Sequence, residues 1–124
     1  MNVSWRSLAV ALTLLGCANR ETTRRVAGGD PERGRALIKA YGCGSCHTIP
    51  GVRGANSYVG PSLDGVASRA YIAGVLPNDP ENMVRWIENP PAIDAKTAMP
   101  YLHVSARDAR DIAEYLYRLR ARGD

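Results

Sequence analysis

Three stretches of this chain repeat apolar residues at helical spacing, separated by segments without periodicity. Gly34, Leu37, Ile38 and Tyr41 fall at i, i+3, i+4 and i+7. Asp30-Pro31-Glu32 ahead of them offers a capping carboxylate and a proline at the first helical position, so a helix is expected from Pro31. A second helix is read from about Pro80 to Asn89, with Met83, Trp86 and Ile87 on one side and Pro90-Pro91 stopping it. The third starts at a capping-box-like pair, Ser105 and Asp108, and carries Ala109, Ile112, Ala113, Leu116 and Leu119 in one stripe. No run alternates as a strand would, and the expected fold class is all-α.

The N-terminus follows a different pattern. One positive charge, Arg6, precedes the apolar run Leu8 to Leu15, the layout of a secretory signal peptide over residues 1–16. The run is too short to span a bilayer, which takes ~20 apolar residues. Leu14-Leu15-Gly16-Cys17 resembles the bacterial lipobox. That resemblance implies that Cys17 becomes the lipidated first residue of an exported protein, held by its acyl chains on the periplasmic side of a bacterial membrane. Ordinary signal cleavage, leaving a soluble periplasmic protein, is the alternative. Residues 17–28 show no periodicity and read as a flexible tether, 29–120 as the folded domain and 121–124 as a tail.

Composition narrows the chemistry. The chain has 124 residues, 45% hydrophobic and 23% charged, which suits one small globular domain. Its formal charge of +4 falls by one if the leader and Arg6 are removed, so nucleic-acid binding has little support. Scarcity matters more: only His47 and His103, only Met1, Met83 and Met99, and only Cys17, Cys43 and Cys46 are available for metal or redox work.

Cys43-Gly44-Ser45-Cys46-His47 is the C-x-x-C-H signature of c-type haem attachment. Two thiols three residues apart on one helical turn can add to the two vinyl groups of one haem edge, and the next residue aims an imidazole at the iron. A thioredoxin-like dithiol would want a preceding strand, whereas Cys43 follows a helix. A zinc site would need adjacent Cys46 and His47 in one tetrahedron plus a distant fourth ligand. A Cys43–Cys46 disulfide would close a very short loop. For the sixth iron ligand, His103 and Met83 compete with Met99. Met99 sits in an aperiodic loop, stiffened by Pro100, whereas Met83 reads as core packing.

With these residues in view, the segment from Gly29 to Leu119 resembles a class I mono-haem c-type cytochrome of the bacterial kind. Gly60-Pro61-Ser62-Leu63 resembles the family segment whose proline carbonyl accepts a hydrogen bond from the proximal imidazole. Glu88-Asn89-Pro90, with Met99 nine residues after the proline, reproduces the family spacing to its methionine ligand. The resemblance implies a cytochrome c fold of three to five helices, with N- and C-terminal helices crossing at Gly34 around one covalent haem c. It implies His47 and Met99 as iron ligands, Cys43 and Cys46 as attachment points, and Pro61 bonded to His47. Arg69 would lie near a haem propionate, Thr97 near another haem edge, and Trp86 over the distal face. Ala95-Lys96 stands where the family usually has Pro-Gly. Thr48 to Val59 looks like an Ω-loop.

A closed His/Met site suits outer-sphere transfer of one electron at a time. The family likeness extends to small cytochromes, and to domains fused to oxidase subunits, that feed haem-copper oxidases. The expectation is therefore a monomeric, non-enzymatic electron carrier between an upstream donor complex and a terminal oxidase. A fixed electron-transfer subunit of a membrane dehydrogenase or oxidase is one alternative, and a haem peroxidase or gas sensor another. Arg118, Arg120 and Arg122 read as a solvated helix end, with partner docking as the alternative.

Overall fold

The computed structural model describes residues 24–119. The leader, Cys17 and the tail lie outside them. Among the described residues there are four α-helices: α1 (Pro31–Ala40), α2 (Pro80–Glu88), α3 (Pro90–Ile93) and α4 (Ala106–Arg118). Single 3₁₀ turns occupy Cys43–Ser45 and Val66–Ser68, and a short antiparallel hairpin pairs β1 (Tyr71–Ile72) with β2 (Leu76–Pro77). The sequence reading missed this hairpin because each strand is too short to alternate. Its turn rests on Ala73 and Gly74, both with positive φ, and on Val75 N–H donating to Ile72 O at 3.0 Å.

Local chemistry sets the helix ends. Asp30 accepts from Glu32 N and Arg33 N, Asp79 from Asn82 N, and Ser105 from Asp108 N. Pro31 and Pro80 follow their caps at the position where a missing N–H costs nothing. One expectation needs correcting: Pro90-Pro91 does more than stop α2. Asn89 ends α2 and caps α3, its side chain accepting from Ala92 N at 3.2 Å, and Pro90 opens the new turn.

The terminal helices cross as expected, with Gly34 against Asp111 and Ile112, where a Cβ would fall on the Asp111 carbonyl. The core gathers along one side of α4: Ala109 and Ala113 are fully buried, and Ile112 and Leu116 pack with Ile38 of α1 and Met83, Val84 and Ile87 of α2. Charges seal the rim of the crossing. Arg33 pairs with both Asp108 and Asp111, Tyr41 Oη donates to Asp108 at 2.7 Å, and Asp30 N–H donates to Asp111 at 2.8 Å.

Packing reaches further toward the N-terminus than the sequence suggested. Val26 is buried, and its N–H donates to Glu114 at 2.8 Å. Arg25 and Arg118 flank the same carboxylate at 3.2 and 3.1 Å, and Arg24 bonds the Ala67 carbonyl. Five residues assigned to the tether, Arg24 to Gly28, therefore belong to or border the packed body.

The crossing predicts a pH dependence. The Tyr41 hydroxyl, and then Arg33, hold the Asp108 carboxyl below the usual carboxylate range, against an opposing effect of burial. A depressed native pKa means the unfolded chain binds more protons, so this stabilisation is present above the ordinary Asp pKa of ~3.9 and fades as pH falls below it. Denaturant melts of Asp108→Asn and wild type should differ clearly at neutral pH and converge in acid. A constant gap across that range would remove Asp108 as the cause.

Candidate functional site

After α1, the chain turns back on itself at Gly42, whose φ of +72° favours glycine. The 3₁₀ turn that follows is closed by His47 N–H and Cys46 N–H, both donating to Cys43 O, at 3.0 and 3.2 Å. This compact turn puts Cys43, Cys46 and His47 on the wall of one cavity. Gly44 lets the turn lie against the following loop, since a Cβ there would sit 2.9 Å from Ala55. That loop, Thr48 to Val59, closes through a Thr48–Asn56 bridge and Ile49 N–H to Ala55 O at 3.0 Å.

His47 is held on two sides. Its Nδ1 lies 2.7 Å from Pro61 O. A carbonyl can only accept, so Nδ1 carries the proton and the Nε2 lone pair is left for another partner. Gly60 supports the ring from below: its N–H donates to Cys46 O at 2.6 Å, and a Cβ there would come within 2.6 Å of the imidazole Cε1. Sequence reasoning singled out Pro61 and passed over Gly60, although the two are neighbours. Only the ring's packing shows why no side chain fits.

The cavity measures about 500 Å³. The other residues singled out from sequence also line it: Pro61, Arg69, Trp86, Thr97 and Met99. Trp86 is buried on α2 beside Met83, which lines the same space while packing into the core. Met99 is held by its N–H donating to Thr97 Oγ1 at 3.2 Å. Where the family usually has Pro-Gly, an Asx turn shapes the loop, with Asp94 accepting from Lys96 N–H at 3.0 Å. His103, the other imidazole, is exposed, meets the Tyr101 ring at a tilt of 43° with centroids 4.1 Å apart, and is absent from the lining.

Arg69 is the one charged side chain among the lining residues. It donates to the carbonyls of Ser62 and Asp64 and pairs with no carboxylate among the described residues. A buried polar network fixes its backbone. Asn78 Nδ2 donates to Val66 O and Arg69 O at 2.8 and 2.9 Å, and Tyr117 Oη donates to Asn78 at 2.9 Å. Burial pushes the Tyr117 hydroxyl well above its ordinary value, keeping it a neutral donor. Sequence reasoning missed both residues, since a pair 39 positions apart leaves no local pattern.

Burial likewise pushes the Cys43 thiol up, away from the low pKa a reactive dithiol requires. Paired thiols at one edge, an imidazole with Nε2 free, a thioether, apolar walls and one arginine suit a flat, largely apolar macrocycle with acidic edge groups. The volume falls within the usual range for cofactor pockets. The class so defined is a helical haem protein with its cofactor fixed through two cysteines.

Residues 31–120 match the family model for cytochrome c, and the chain belongs to that family. It is an electron-transfer protein, and Cys43 and Cys46 within this family imply covalent haem c. Cytochrome c2 from Rhodobacter sphaeroides superimposes with a TM-score of 0.60 at 27% identity, covering 77% of this chain and 99% of that one. Cytochrome c oxidase subunit 2 from Alkalihalophilus pseudofirmus is 32% identical over 89 residues. That match covers 71% of this chain and only 25% of the relative.

Proposed function

We propose that His47 and Met99 are the axial ligands of the haem iron and that the protein passes single electrons along a respiratory chain to a terminal oxidase. The observation that carries the ligand assignment is the Nδ1–Pro61 hydrogen bond, which leaves His47 Nε2 as a donor on the cavity that Met99 also lines. The haem, when bound, supplies a one-electron couple whose potential a His/Met pair raises. The chain's own residues do the rest. Cys43 and Cys46 hold one edge, Gly60 and Pro61 fix the imidazole, Thr97 holds the methionine loop, Trp86 and the aliphatic walls keep water out, and Arg69 offers charge to a propionate.

The oxidase is proposed from the likeness to an oxidase subunit. The same likeness supports a second reading, in which this chain is a fixed electron-entry subunit of a larger complex. We further propose a lipid anchor at Cys17 after loss of residues 1–16. Only residues 18–23 would then separate the anchor from docked Arg24, a span of at most ~22 Å.

The test is the absorption spectrum of the oxidised and reduced holoprotein, with its intact mass. Covalent haem with the weak far-red band of ferric iron bound to methionine sulfur, and no carbon monoxide binding, is expected. Haem without that band, binding carbon monoxide readily, overturns Met99 and favours a peroxidase or gas sensor. Co-purification with a complex after solubilisation would favour the fixed subunit over the free carrier.

A further inference from the structure

Helix α4 carries three arginines and three acids, and the fold sorts them by direction. Each acid is taken up by partners: Asp108 by Arg33 and Tyr41, Asp111 by Arg33 and the Asp30 amide, and Glu114 by the Val26 amide, Arg25 and Arg118. Each arginine faces out. Arg107, Arg110 and Arg118 are all exposed, and Arg107 and Arg110 make no ion pair among the described residues. A helix without net charge of its own thus presents a basic outer side.

Arg107, Arg110, Glu114 and Arg118 recur at i, i+3, i+7 and i+11, along one side of the helix. Ile112 and Leu116, which line the cavity, fall on the opposite side. The N-terminal segment Arg24 to Gly29 lies along the basic side. Val26 N–H donates to Glu114 there, and Gly29 comes so close that a Cβ would sit 2.8 Å from the Arg110 carbonyl. Arg25 reaches Glu114 while its side chain stays 59% exposed, so a fourth arginine covers the one carboxylate of this side. Asp30, where the segment ends, is committed to capping α1. Beyond Leu119 the sequence adds Arg120 and Arg122 against Asp124.

We infer that the arginine face of α4, together with Arg25, rests on the anionic headgroups of the bilayer that holds the chain at Cys17, and that the cavity is thereby turned away from that bilayer. This orientation rests on the lipid anchor proposed above. Residues 18–23 reach at most ~22 Å, which is less than the breadth of a domain whose radius of gyration is ~13 Å. The docked segment enters on the arginine side, so on so short a lead that side stays toward the membrane unless Val26 leaves Glu114. It is then within the ~8–10 Å over which an anionic surface acts on basic side chains. An acidic protein would suit the same charges, but the short lead puts the bilayer beside them.

Arginine footprinting with phenylglyoxal on the mature holoprotein in vesicles, read residue by residue by mass spectrometry, tests this. In phosphatidylcholine vesicles with about 30% phosphatidylglycerol at low salt, Arg107 and Arg110 should react about fivefold or more slowly than in phosphatidylcholine alone. Arg53 and Arg85, exposed elsewhere on the body, should change less than about twofold, and about 500 mM salt should erase the difference. Arg107→Gln with Arg110→Gln should keep the wild-type haem spectrum, because neither side chain lines the cavity, and should return Arg25 toward its rate in neutral vesicles. Slowing shared equally by Arg53 and Arg85, or no difference between the two kinds of vesicle, overturns the membrane face. Protection in native membranes that anionic vesicles do not reproduce gives the face to an acidic protein and overturns the lipid assignment. Intact mass reads the anchor separately: a mature protein without acyl chains removes the anchor and the orientation it imposes, while the anionic vesicles still decide whether this face binds lipid.

Discussion

Met99→Ala is expected to keep covalent haem and lose the far-red band, bind carbon monoxide in the reduced state, and fall in potential. Met99 stands on a loop that Pro100 bars from helical backbone, and the Thr97 hydroxyl ties down its amide. Met99 packs at the margin of the core, and the loop carries its thioether to the wall that His47 shares. Removing the sulfur leaves no side chain of comparable softness on the loop. Axial ligands shift haem potentials across ~0.8 V, so a fall of order 0.1 V or more is expected. Met83→Ala provides the comparison. Met83 is only 3% exposed and packs in the core, so its truncation should cost about 2–5 kcal/mol of stability while leaving the far-red band intact. Equal spectral effects of the two substitutions would sink the assignment.

What could be read in advance divides by distance along the chain. The caps at Asp30 and Ser105, the helical stripes and the C-x-x-C-H turn are local, and each left a periodic or spaced signal. The Pro61–His47 bond and the Met99 loop came from likeness to a family, and the geometry at both is compatible with it. The parts that stayed hidden are polar pairs joining remote segments. Glu114 has no place in the apolar stripe of α4, yet it is buried, with Val26, Arg25 and Arg118 around its carboxylate. A buried carboxylate is tolerated only with such partners, and one of them is the backbone amide of a residue 88 positions away. Asn78 and Tyr117 are the same case. Neither has a sequence neighbour that hints at the other, and together they hold the turn that brings Arg69 to the cavity. The hairpin was hidden for another reason: its two-residue strands are shorter than the period that would reveal them.

Gly34→Ala should destabilise the fold more than any other change as small as one methyl group. In an isolated helix the substitution would help by about 1 kcal/mol, since alanine is the better helix former. At this position the sign reverses. The added Cβ would fall on the Asp111 carbonyl and lie 3.0 Å from Ile112 N, both backbone atoms of α4 that no side-chain rotation can move. The helices must separate, and three things loosen together: the contact of Ile38 with α4, the Arg33 bridge to Asp108 and Asp111, and the cavity wall that Ile38, Ile112 and Leu116 share. Overpacking typically costs 1–3 kcal/mol, and a backbone clash belongs at or above the top of that range, about 3 kcal/mol. For a domain of this size that lowers the thermal midpoint by ~12–24 °C. Ala36→Gly, on the exposed side of the same helix, isolates the propensity effect and should cost only about 1 kcal/mol. Thermal melts of the two holoproteins therefore separate crossing from propensity, and a Gly34→Ala protein as stable as wild type would show that α1 and α4 do not meet through this glycine.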